Sequence, residues 1–81
     1  KYNLARQLSR AAVSIPSNIA EGSSRSSDKD NARFVEIALG SCFEVETQIM
    51  LAQNLGIGNQ HIGKKILGLI DQEQKMLMQF L

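Results

Sequence analysis

Three observations predict an all-α fold built as an antiparallel up-and-down bundle. Apolar residues recur at steps of 3 and 4 through three stretches, no stretch alternates with period two, and the links between the stretches are short and rich in helix stop and start residues. The helices are expected over about residues 1–22, 28–55 and 60–81 of a single 81-residue domain. A chain of this size has a thin core, so its apolar residues need efficient helix packing or help from other chains.

The first helix carries Leu4, Leu8, Ala11, Ile15 and Ile19 on one stripe. It also breaks two local rules. Pro16 removes an N–H and crowds the carbonyl of Ala12, at about 3 kcal/mol in a helix interior, and Glu21 stands near the negative end of the helix dipole. A bent helix that follows the bundle accounts for Pro16, with Ser14 or Asn18 supplying a donor for the freed backbone. Glu21 is expected to pair with Arg25 or Arg33. Gly22 is expected to stop the helix as its C′ residue, and the small residues Ala11, Ala12, Ser14 and Ala20 permit close approach of neighbours.

The second helix has a good start. Ser27 can cap it, Asp30 stands three residues later, and Asp28 and Asp30 suit the positive end of the dipole. Val35, Ala38, Cys42, Val45, Ile49 and Ala52 form a bundle seam. A second stripe, Ala32, Leu39, Phe43 and Met50, projects roughly 120° away, and Ile37, Leu51 and Leu55 lie on a third side. Two neighbours cannot cover all three, so this helix calls for a fourth helix, a neighbouring subunit or both, with Ala32, Leu39, Phe43 and Met50 expected at the oligomer interface. Gly40 and Ser41 interrupt it at a cost of about 1 kcal/mol for the glycine, which points to a close helix crossing there.

Gly56 and Gly58 mark the turn into the third helix, whose wide apolar side holds Ile62, Ile66, Leu69, Ile70, Met76, Leu77 and Phe80, with Leu67 and Met78 outside the main stripe.

Nine Lys and Arg against eight Asp and Glu give a net charge of +1, far from the excess of a chain held mainly by phosphate contacts. The balance is uneven. Residues 1–27 hold four cations against Glu21, a charge of +3; residues 28–56 hold two against five acids, −3; the rest holds three against two, +1. The basic and acidic segments are expected to face each other. Cys42 is the only cysteine, so an intramolecular disulfide and a cysteine-cluster zinc site are excluded, and a reducing compartment, the cytoplasm, is the expected location. No apolar run reaches about 18 residues and no signal-peptide pattern is present, so no membrane partner is expected.

The stretch RQLSRAAVSIPSNIAEGSSR, residues 6–25, followed by FVEIALGSCFEVETQI, residues 34–49, resembles the bacterial 23S rRNA intervening-sequence proteins, also called four-helix-bundle proteins. The resemblance rests on Arg6 and Arg10 beside Ala11 and Ala12, then Ser14, Ile15, Pro16, Asn18, Ile19, Ala20, Glu21 and Gly22, then Ala38, Gly40, Ser41 and Glu44. It implies a left-handed four-helix bundle, usually in a ring-like homopentamer, with the family's first helix lying before Lys1, so that this chain supplies helices two to four. It also implies an association with ribosomal RNA intervening sequences, or a role like that of the accessory proteins of diversity-generating retroelements, which bind RNA and a reverse transcriptase.

The candidate nucleic-acid-binding residues are Arg6 and Arg10, one helical turn apart, extended by Arg25, Lys29 and Arg33. Repeated by ring symmetry they would form a belt able to hold a polyanion that one copy could not. No aromatic residues interleave with them, so a stacking platform is not expected. Pro16, Asn18, Glu21, Gly22 and Gly40 are read as structural. No carboxylate pair, triad or metal-ligand spacing occurs, so no enzyme, catalytic residue, metal, cofactor or small-molecule substrate is expected. Residues 58–65, GNQHIGKK, imitate a phosphate-binding loop, but Lys65 stands where Ser or Thr should ligate magnesium and no strand precedes it. His61 is expected at the surface and Cys42 in the core. Two functions remain: a non-enzymatic homo-oligomeric adaptor for RNA or a protein–RNA complex, and a structural or protein-interaction scaffold without nucleic-acid affinity.

Overall fold

The computed structural model describes residues 3–81 and contains three helices and no strand among them: α1 (Leu4–Ser23), α2 (Asp28–Asn54) and α3 (Gln60–Met78). Each start is capped by the residue the local chemistry favours. The side chains of Asn3, Ser27 and Asn59 accept the backbone N–H of Arg6, Asp30 and Ile62, satisfying donors that a helix leaves free in its first turn. Gly56 and Gly58, at φ of 68° and 76°, make the α2–α3 turn in the left-handed region where a Cβ is disfavoured.

The helices form an open layer. Ser14 meets Ser41 and Gly22 meets Asn31, a pairing that sets α1 antiparallel to α2. Gln53 exchanges side-chain-to-carbonyl hydrogen bonds with Gln60 and Glu46 meets Gln74, which sets α3 antiparallel to α2 on its other flank. α1 and α3 do not pack on each other. The overall extents of 44 × 27 × 13 Å suit three helices side by side at about 9 Å spacing. The core is the strip where both flanking helices meet α2: Ala11 from α1, Val35, Ala38, Cys42, Val45 and Ile49 from α2, Ile70 and Leu77 from α3.

The open layer leaves apolar residues in solvent. On α3, Ile70 and Leu77 are buried while Ile62, Leu69, Met76 and Phe80 of the same wide side are half or more exposed. Leu67, which the spacing puts off the main stripe, packs against the core instead. On α2, Ala32 and Leu39 are half-buried, with Leu39 on the core, whereas Phe43 and Met50 of the same stripe are exposed. Ile37, Leu51 and Leu55 are exposed as well.

Two glycines play roles other than those their positions suggest. Gly22 has no positive φ and α1 continues one residue past it. Its need for glycine is steric, because a Cβ there would lie 2.8 Å from Asn31 Oδ1 and 3.0 Å from the Phe34 Cβ. Gly40, expected at a helix crossing, has nothing within 4 Å of its Cβ position. The crossing falls on its neighbour Ser41, one residue and about 100° further round α2.

Candidate nucleic-acid interface

Arg6 and Arg10 lie on the first half of α1, exposed and one turn apart. Neither makes an ion pair among the described residues. Lys29 and Arg33 form a second exposed couple on the first turns of α2, where Asp28 and Asp30 offset their charge. Arg25, in the loop between the helices, is already engaged: its guanidinium pairs with Glu21 and lies 5.0 Å from the centre of the Phe34 ring, a cation–π arrangement. The five candidate cations therefore fall into two groups separated along α1 by about 20 Å of helix rise between Arg10 and Arg25.

Glu21 takes Arg25, one of its two expected partners. That pair stays within the basic segment. The acidic segment packs against the basic one as helices, but no ion pair joins α1 to α2 among the described residues. What joins them is a small polar network. Asn18 donates to the carbonyl oxygen and the hydroxyl of Ser14, at 2.8 and 2.9 Å, and the Ser41 hydroxyl lies 2.7 Å from that of Ser14 and 3.2 Å from the Ile37 carbonyl. Asn18 thus binds the backbone one turn earlier rather than the Ala12 carbonyl that Pro16 frees. Ala12 is exposed and α1 runs through Pro16 without a break.

Beside this network, Gln7, Arg10, Ser14 and Glu44 line a polar depression of about 250 Å³ on the α1–α2 seam. On the opposite side of the layer, where the first halves of α1 and α3 diverge over the end of α2, an apolar groove of about 310 Å³ is lined by Leu4, Leu8, Ile49, Ala52, Ile62 and Ile66 among others. Cys42 sits fully buried in the strip between the flanking helices. Burial, and then the charge of Glu73, push its thiol above the ordinary range, so it is neutral at physiological pH and behaves as a small apolar core residue. His61 is exposed, and no group of three or more His, Cys, Asp or Glu able to hold a metal occurs among the described residues. Gly63, part of the phosphate-loop imitation, is buried in helix α3, where a Cβ would lie 2.9 Å from Gln53 Nε2.

Gln74 is a buried polar residue that sequence reasoning missed; its amide lies 3.4 Å from Glu46 Oε1. Its position between Ile70 and Leu77, at steps of 4 and 3, was the available signal.

These observations define a small all-helical protein whose apolar sides outrun their partners and which carries a couple of exposed arginines on its first helix. The model of the family described as 23S rRNA-intervening sequence protein matches residues 1–79, and the chain belongs to that family, which is not a known enzyme family. No curated protein matches the chain. None of the helices is long and apolar enough to cross a membrane, among the described residues.

Proposed function

We propose that the protein is a non-enzymatic, homo-oligomeric adaptor that binds RNA or a ribonucleoprotein associated with ribosomal RNA intervening sequences, in the cytoplasm. The family match carries this reading, and the exposed, unpaired couple Arg6 and Arg10 supplies the phosphate contacts. A fourth helix seated in the apolar groove between α1 and α3 would complete a four-helix bundle, burying Ile62 and the exposed part of the α3 side. Assembly as a ring-like homopentamer, through the shoulder of α2 that bears Phe43 and Met50, would repeat the arginine couple into a belt and raise its effective affinity.

A structured fragment of ribosomal RNA titrated into the full-length protein tests this. Binding should weaken by about tenfold for every two phosphate contacts when salt rises from about 50 to 200 mM, and Arg6→Glu with Arg10→Glu should abolish it. No binding at the lower salt would remove the RNA reading and leave the scaffold, which the net charge of +1 and the exposed apolar residues of α2 and α3 favour.

A further inference from the structure

α1 packs on the side of α2 that bears Asn31, Phe34 and Ser41, and α3 on the side that bears Glu46 and Gln53. At about 100° per residue, the free arc between those two sides is centred close to Gly40. A glycine in the middle of a 27-residue helix costs about 1 kcal/mol against alanine. Nothing among the described residues needs it, since the Cβ position is open for 4 Å. Around it Phe43, Glu44, Thr47, Gln48 and Leu51 wall a depression of about 280 Å³. A hole left by a glycine, with Phe43 and Leu51 as its apolar rim, is what a helix offers to a knob from a second helix.

The charges on the same stripe say which helix. Arg33, Ile37, Gly40 and Glu44 recur at steps of 4, 3 and 4 along one line, all exposed. The order is symmetric about the midpoint of Ile37 and Gly40, with the cation four residues before Ile37 and the anion four residues after Gly40. Lay an antiparallel copy of this stripe on itself and each Ile37 enters the hole at the other copy's Gly40, while each Arg33 meets the other copy's Glu44. Parallel stacking would set Arg33 on Arg33 and Glu44 on Glu44. Both side chains are free for the role: neither forms an ion pair among the described residues, although Glu44 also borders the depression that Arg10 lines.

We propose that the outer stripe of α2 pairs with the same stripe of a second copy, antiparallel, about a two-fold axis between Ile37 and Gly40, with reciprocal Arg33–Glu44 ion pairs fixing the register. The interface is isologous, so it closes after two copies. Of the residues in the ring contact proposed above, Met50 lies on the α3 shoulder of the helix, away from this stripe, while Phe43 also rims the hole; a particle that uses both contacts is two rings joined back to back.

Sedimentation equilibrium on the full-length protein tests the pairing by charge reversal. Arg33→Glu alone and Glu44→Arg alone each set like charges opposite one another and should halve the particle mass. The double variant, Arg33→Glu with Glu44→Arg, restores opposite charges in the same register and should restore the full mass. Both sites are exposed, and unchanged helical circular dichroism verifies folding. Met50→Glu, which leaves the rim of the hole untouched, should reduce the particle to two copies if the ring reading holds, and leave the response to charge reversal intact if it does not. Single reversals that leave the mass unchanged, or a double variant no heavier than the singles, would overturn the proposal.

Discussion

The two seams of α2 are built differently. Against α1 the contact is steric and polar at once: Gly22 admits Asn31 and Phe34, and Ser14, Asn18 and Ser41 form a network on a buried hydroxyl. Against α3 the polar links are long, at 3.3 to 3.5 Å between Gln53, Gln60, Gln74 and Glu46, and half of the apolar side of α3 remains in solvent. The α1 seam is finished within the chain. The α3 seam leaves apolar side chains uncovered, and the groove beside it is where the proposed fourth helix would sit.

The largest effect expected from this contrast is at Gly22. Gly22→Val forces a branched side chain into Asn31 and Phe34 and should destabilise the fold by about 2 kcal/mol, read as a lower midpoint in thermal or urea unfolding. Ser41→Ala removes the hydroxyl that spans the finished seam and should cost about 1 kcal/mol. Gln74→Leu on the looser seam should be neutral or stabilising by the same measurement, because it replaces a long hydrogen bond with apolar contact on a core-facing position. Equal losses at Ser41 and Gln74 would erase the distinction between the seams. Gly40→Ala reverses the sign seen at Gly22: in the Arg33→Glu background, where pairing is broken, it should add about 0.5–1 kcal/mol through helix propensity alone. The smallest effect is at Glu21→Gln. Its ion pair with Arg25 is about half exposed on both sides, so the unfolding midpoint should shift by less than about 0.5 kcal/mol.

Much of the fold was legible because it follows from periodicity and end signals. Ser27 and Asp30 announce the start of α2, Gly56 and Gly58 the turn after it, and the steps through Val35, Ala38, Cys42, Val45 and Ile49 give its buried line. Spacing does not tell which apolar side has a partner: Leu39 and Phe43 belong to one stripe, yet Leu39 packs against the core and Phe43 is exposed. Nor does a glycine state its reason. Gly22 reads as a helix stop and is a point of contact; Gly40 reads as a point of contact and is open. Neither contact within the chain can be read from the local pattern, since the register of two helices is set by long-range packing. The arginine couple Arg6 and Arg10 was visible from a four-residue step, whereas the engagement of Arg25 by Glu21 and Phe34 depends on how the loop folds back on α2.

In the proposed assembly, α2 faces other copies on its outer side. Multi-angle light scattering of the full-length protein at low micromolar concentration tests that most directly. A single particle of several copies, unchanged on modest dilution, is the predicted result; a particle with the mass of one chain would contradict it.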